Sequence, residues 1–211
     1  MSLNEYVTDA HARKYLAQAD RILHRDEGEA MVHSMVPGDA RRILDLGTGD
    51  GRLLALLLAD RPHASGTALD FSPPMLAAAR ERFRGNAAVE IVEHDLDEPL
   101  PRLGSFDVVV SSFAIHHCTD ERKRSLYAEI FDILDAGGVF CNLEHVASPT
   151  PALQARFLRA LGITEGTGDP SNKLASVERQ LGWLREIGFE EVDCYWKWLE
   201  MAVFGGVRPN S

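Results

Sequence analysis

Arg42 to Gly51 reads RILDLGTGDG: a short apolar run, RILDL, stopped by three glycines within five residues. Leu53, Leu54, Leu56, Leu57 and Leu58 follow at once, so the stretch reads as strand, sharp turn and helix. In open α/β sheets a ligand sits beyond the carboxyl ends of the strands, near the point where strand order reverses. The turn from Asp45 to Gly51 is therefore expected to present bare backbone to a ligand. Glycine also reaches dihedrals closed to other residues, and a side chain at Gly47 or Gly49 is expected to occupy ligand space.

Working outward, the same alternation repeats. Gly66 to Phe71 reads as a second strand, and Ser72 followed by Pro73 and Pro74 is a helix start with a cap and a proline in the first turn. Val89 to Val92 is a third strand. The nearly unbroken apolar run Phe106 to Val110 suits a fourth strand covered on both faces. A helix over Asp120 to Leu134 is expected to stop at Gly137 and Gly138, and Val139 to Val146 is a fifth strand. A further helix begins after Pro149 and Pro151 and ends near Gly162. The polar loop TEGTGDPSNK comes next, expected to be mobile. A last helix, Val177 to Ile187, leads into two strands joined near Leu199 and Glu200. Strands alternating with helices imply right-handed crossovers and a doubly wound, mainly parallel sheet.

Residues 1–40 carry a helical pattern, with Tyr6, Tyr15, Leu16, Ile22 and Leu23 as one apolar group and Met31, Val32, Met35 and Val36 as another. They are expected to pack over the open end of the sheet as a cover. The 211 residues suit one domain, 1–211, with the cover over 1–40 and an α/β core over 41–211.

Composition narrows the function. A hydrophobic fraction of 45% and a charged fraction of 26% are those of an ordinary globular protein. No apolar run is long enough to span a membrane, and the start MSLNEYVTDAHARKY has no signal core, so a cytoplasmic protein is expected. Cys118, Cys141 and Cys194 share no metal-type spacing and are odd in number, so they read as reduced thiols. A net charge of −10 disfavours nucleic acid, whose affinity rests on Lys and Arg replacing counterions. Arg122, Lys123 and Arg124 read as a solvated helix face. A small-molecule partner is favoured, and the oligomeric state, a homodimer included, stays open.

The glycine turn departs from the dinucleotide pattern G-x-G-x-x-G: its third glycine comes one residue early and Arg52 fills the expected position. Asp45 and Asp50 flank the turn, repelling a pyrophosphate but suiting a ligand that carries a sulfonium and an ammonium. Asp70, at the end of the second strand, stands where a carboxylate accepts both ribose hydroxyls.

The ordered segments ILDLGTGDG, ALDFSPPML, EHDLDEPLP, FDVVVSSFAIHHCTD and LDAGGVFCNLEHV resemble the motif series of class I S-adenosylmethionine-dependent methyltransferases of the small-molecule group, over about Arg41 through Val207. The resemblance implies a Rossmann-like, seven-stranded sheet whose last strand is antiparallel. It implies S-adenosylmethionine as cofactor, S-adenosylhomocysteine as product and a small organic acceptor methylated at O, N or C. It puts the methionyl part at Asp45, Gly47, Thr48, Gly49 and Gly51 and the ribose at Asp70. Phe71 and Met75 would border the adenine, Asp95 and the Leu96 backbone would read its amino group, and Ser111 and Ser112 would line the methyl region.

A methyl acceptor that is a hydroxyl benefits from a base. His116 and His117 after the fourth strand, and Glu144 and His145 at the end of the fifth, are the candidates, since both strand ends open on the same side. Adjacent histidines point apart along an extended chain, which disfavours a metal site. Trp196 and Trp198 fall on one face of a strand, and Tyr6, His11 and Tyr15 are candidate acceptor contacts. An NAD-dependent oxidoreductase and a non-catalytic S-adenosylmethionine-binding regulatory protein are the alternative readings.

Overall fold

The computed structural model describes residues 22–163 and 169–210; Tyr6, His11, Tyr15 and Leu16 lie outside them. In chain order the elements are α1 (Arg25–Met35), β1 (Arg42–Leu46), α2 (Arg52–Ala59), β2 (Ser65–Asp70), α3 (Pro73–Arg82), β3 (Val89–Glu93), β4 (Phe106–Ser112), a single 3-10 turn (Ile115–His117), α4 (Asp120–Ile133), β5 (Leu134–His145), α5 (Pro151–Ala160), α6 (Val177–Ile187), β6 (Glu190–Trp198) and β7 (Met201–Val207). The strands form one seven-stranded sheet in the order β3-β2-β1-β4-β5-β7-β6. β1 pairs parallel with β2 on one side and β4 on the other, so strand order reverses beside β1 and opens a crevice at its carboxyl end. β7 runs antiparallel between β5 and β6.

Side chains alternate across each strand, and that alternation splits the core in two. Leu44, Leu46, Val109, Phe140 and Phe204 face α4 and α6, where Tyr127, Ile130 and Leu184 are buried. Ile43, Val108, Val110, Cys141 and Leu143 face α1 and α2, with Val32, Leu53, Leu54 and Leu57. Helices on both faces explain why the central strands read as continuous apolar runs. Trp196 and Trp198 do share a face: their partners Val203 and Met201 are two residues apart, beyond a register shift at Cys194.

Three local expectations need correction. α4 ends at Ile133 and β5 begins at Leu134 with no glycine stop between them. Gly137 and Gly138 lie instead in an irregular stretch of β5, where pairing jumps from Phe106↔Leu134 to Val108↔Val139 and Gly137 adopts φ 77°. α1, within the described part of the expected cover, packs on a sheet face, where Gly28 lets the helix approach β5: a Cβ there would stand 2.6 Å from Leu143 Cδ1.

Of Arg122, Lys123 and Arg124, only Arg124 is solvated. The Lys123 side chain is 1% exposed; its ammonium donates to the carbonyls of Cys118 (2.7 Å) and Lys173. Arg122 binds Glu129 and the Leu96 carbonyl. The Asp169–Lys173 part of the polar loop is also tied down, by the Lys173 amide to the His116 carbonyl at 2.9 Å and the Lys173 ammonium to the His117 carbonyl. Among the described residues no helix is long and apolar enough to cross a membrane.

Candidate active site

The turn after β1 folds back on β2. Gly47, Gly49 and Gly51 take φ values of 66°, 58° and 80°, a left-handed region that costs other residues about 1–2 kcal/mol each. The Thr48 amide donates to the Leu69 carbonyl at 2.9 Å, and the Gly49 amide donates to Asp70 Oδ2 at 2.8 Å. The three glycines have different jobs. A Cβ at Gly47 would run into Ala114 and one at Gly51 into Phe83, whereas one at Gly49 would meet nothing within 4 Å. Gly49 thus fronts open space, and Gly51 serves packing.

That space is a cleft of about 1040 Å³, open solvent included, at the carboxyl ends of β1, β2 and β4. Asp45, Thr48, Asp70, Phe71, Met75 and Ser112 line it, as do Asp95 and Leu96 from the loop after β3. Ser111 does not: its buried hydroxyl donates to the Leu46 carbonyl at 2.8 Å, locking β4 to β1.

Asp45 is 1% exposed. Its Oδ2 accepts the Thr48 hydroxyl at 2.6 Å, but its Oδ1 is buried with no hydrogen-bond partner. Burial, opposed by Thr48 and the Leu54 amide and reinforced by the negative charges of Asp70 and Asp50, pushes its carboxyl up to about 7. Asp70, also buried, accepts Gly49 through one oxygen and the Ser72 amide through the other, at 2.9 Å. Burial outweighs those bonds and raises its pKa. Ser72 occupies the N-cap of α3, but its hydroxyl makes no cap bond.

Of the four candidate bases, only His117 lines the cleft. His116 turns its Nδ1 to Glu144 Oε1 at 2.5 Å, and both side chains are buried. His145 instead meets Glu200 at 2.9 Å. Burial would raise the Glu144 carboxyl, yet His116 and the His145 amide together hold it below its ordinary value. His117 is pushed down to about 3, first by burial and then by His116, so at neutral pH its ring is uncharged.

Sequence reasoning missed several walls of the cleft. Phe113 lines it with φ 53°, and the Arg25 guanidinium, also on the wall, stands 5.8 Å from its ring. Arg25 reaches there because Glu29 holds its Nε at 2.8 Å and the Nε of Arg52 at 2.9 Å. Ser171 and Lys173 close the wall from the segment before α6. Nothing local in the sequence marks Ser171 and Lys173 as wall residues, since their contacts with His117 and Lys123 span 50 or more positions.

The donor set fits S-adenosylmethionine. An unpartnered buried carboxylate oxygen suits an ammonium, the paired strand-end carboxylate of Asp70 suits a ribose diol, and the vacant Cβ position at Gly49 leaves room for a chain laid on the backbone. A pyrophosphate would instead lie against Asp45 and Asp50.

Comparison with known proteins agrees. The methyltransferase domain family matches residues 43–138. An uncharacterised methyltransferase of Mycobacterium tuberculosis is 35% identical over 127 residues, 60% of each chain. A demethylmenaquinone methyltransferase of Thermus thermophilus is 37% identical over 114 residues, 53% of this chain and 50% of the relative. An O-methyltransferase family protein from Burkholderia thailandensis superposes with a TM-score of 0.76 at 23% identity, covering 98% of this chain and 62% of that one. Human N-acetylserotonin methyltransferase, solved with S-adenosylmethionine, gives 0.70 at 17%, covering 98% and 58%. The chain spans about 60% of the length of the first of these relatives. A mainly parallel seven-stranded sheet with a reversed last strand, carrying its glycine turn after β1, defines the class I methyltransferase architecture. Residues 43–138 of this chain match the methyltransferase domain family, and the chain shares its fold with S-adenosylmethionine-dependent methyltransferases.

Proposed function

We propose that the protein transfers the methyl group of S-adenosylmethionine to a small organic acceptor, at O, N or C. The observation that carries this reading is the buried, unpartnered Oδ1 of Asp45 beside a glycine turn strapped by Asp70. The sulfonium supplies an activated methyl. The chain's own residues orient it and exclude water, and orientation alone contributes up to roughly 7–11 kcal/mol in favourable cases. In this reading Asp45 and Thr48 hold the methionyl end and Asp70 the ribose. Phe71 and Met75 flank the adenine, Asp95 and Leu96 read its edge, and Ser112 and His117 face the methyl.

The reading takes 1–211 as one catalytic domain, with the segment before β1 and the wall from Ser171 to Lys173 choosing the acceptor. The acidic walls suit a small molecule better than a nucleic acid. A cytoplasmic setting suits the free thiols of Cys118, Cys141 and Cys194. Calorimetry with S-adenosylhomocysteine and with NAD tests the assignment: tight binding of the first and none of the second is expected, and the reverse would overturn it. Transfer of a labelled methyl group to any acceptor then separates an enzyme from a binding protein.

A further inference from the structure

Charge is unevenly spread over the walls of the cleft. Its carboxylates, Asp45, Asp70, Asp95 and Asp97 among them, come from the ends of β1 and β2 and from the loop after β3. Among the described residues its Lys and Arg side chains are Arg25, at the start of α1, and Lys173, from the segment before α6. These two differ. Glu29 answers Arg25 at 2.8 Å, whereas the Lys173 ammonium meets no carboxylate among the described residues and gives its hydrogen bond to the His117 carbonyl.

An ammonium has three N–H donors. One goes to the His117 carbonyl, which has a dipole but no charge to offset the ammonium's, and two are left on the wall. Lys173 is itself half-buried, and a charge so placed is poorly compensated by a single neutral acceptor. The residue is fixed from behind: its amide donates to the His116 carbonyl at 2.9 Å, and the buried Lys123 ammonium binds its carbonyl. Lys173 is therefore held beside the histidine turn that faces the methyl in the methyl-transfer reading.

We propose that Lys173 is a specificity-determining residue that takes a carboxylate of the methyl acceptor, so that the acceptor is an organic monoanion anchored beside His117. This deepens the methyl-transfer reading and rests on it. A neutral acceptor would leave the ammonium without a counter-charge. A phosphate dianion would bring a second negative charge to a single ammonium, in a cleft whose other walls carry aspartates. The same aspartates repel a carboxylate from the cofactor's end, so the anion also decides which way round the acceptor lies. An oxyanion engaged by an ammonium is a poorer nucleophile, so the carboxylate serves as the anchor and another atom of the acceptor takes the methyl group.

The lysines of the chain are Lys14, Lys123, Lys173 and Lys197, so NMR of the full chain carrying ¹³C at lysine Cε gives few signals, and Lys173→Met assigns the one of interest. Benzoate and benzamide are nearly alike in shape and differ in charge. With S-adenosylhomocysteine bound, benzoate is expected to move the Lys173 signal in a saturable way and to leave exposed Lys197 unmoved. It should bind about 10- to 100-fold more tightly than benzamide, in line with a hydrogen bond to a charged group. Lys173→Met keeps both backbone bonds of the residue and should erase that preference. Lys173→Arg restores the charge and should recover it, which a packing role would not do. No response to benzoate at Lys173, equal binding of benzamide, or a preference that survives Lys173→Met overturns the proposal. Failure of S-adenosylhomocysteine to bind, read separately by calorimetry, removes the methyl-transfer reading instead.

Discussion

Asp70 Oδ2 accepts the amide of Gly49 at 2.8 Å across 21 residues of sequence, so one carboxylate both shapes the glycine turn and faces the cleft. An amide at this position has one acceptor oxygen where the carboxylate has two, so in Asp70→Asn either Gly49 or Ser72 loses its partner. The affinity for S-adenosylhomocysteine is expected to fall about 10- to 100-fold, in line with about 1.5–3 kcal/mol for a hydrogen bond to a charged group. Calorimetry reads the loss, and unchanged affinity would remove Asp70 from the site.

Gly47 and Gly49 part company under substitution. Gly47→Ala drives a methyl group into Ala114 on top of an unfavourable φ, so a loss of stability of about 2–4 kcal/mol is expected. Gly49→Ala suffers the backbone strain alone, about 1–2 kcal/mol, but sets a methyl group in the cleft and weakens cofactor binding. Urea denaturation together with calorimetry distinguishes them; equal losses of stability would contradict the geometry.

Asp45 makes cofactor binding sensitive to pH. Its folded value of about 7 lies above the ordinary 3.8, so across that window the folded protein holds a proton that the unfolded chain has released. Stability of the ligand-free protein therefore falls as pH rises from about 4 to 7, and Asp45→Asn should flatten that slope. An ammonium placed against Oδ1 favours the ionised form, so binding near pH 6 releases a proton and binding near pH 9 does not. Calorimetry in buffers of different ionisation enthalpy measures the release, and its absence at pH 6 would count against an ammonium at Asp45.

Glu144 contributes to stability rather than to the cleft wall. Its carboxyl is held below its ordinary value of 4.5, so its contribution is full above that value and fades as pH falls through the folded one. Glu144→Gln removes the charged acceptor of a buried hydrogen bond from His116 and should cost about 1.5–3 kcal/mol at pH 7, with the gap from wild type closing in acid. Urea midpoints at pH 7 and pH 4 check this, and a constant gap would show that the charge is not what matters.

What was legible in the sequence was whatever a local signal carries. RILDL before three glycines marked strand and turn, and Asp70 could be placed because a strand end has a fixed relation to its neighbour's turn. The start of β5 was misplaced, at Val139 rather than Leu134, since Gly137 and Gly138 look like a helix stop and only pairing with β4 shows them inside a strand. Lys123 was read as solvated because burial of an ammonium depends on two carbonyls, one of them 50 residues on. Ser171 carried no mark, its contact with His117 spanning 54 positions, whereas Arg25 was missed although its bond to Glu29 has the i, i+4 spacing of a helix pair. The paired histidines do not point apart along an extended chain as expected: they sit on a single 3-10 turn with ring centroids 4.0 Å apart, and spacing does not tell which one meets the cleft.

Glu29 grips both Arg25, at the start of α1, and Arg52, the first residue of α2. A helix that precedes the family-matched segment is thereby fastened to the residue just after the glycine turn. Whatever stiffens that turn also stiffens the helix beside it, and by reciprocity a loosened helix weakens the grip on what lies in the turn. A ligand seated in the turn is therefore expected to steady the helix as well. Slower amide exchange at Val32 once S-adenosylhomocysteine is added would be the visible trace of that coupling.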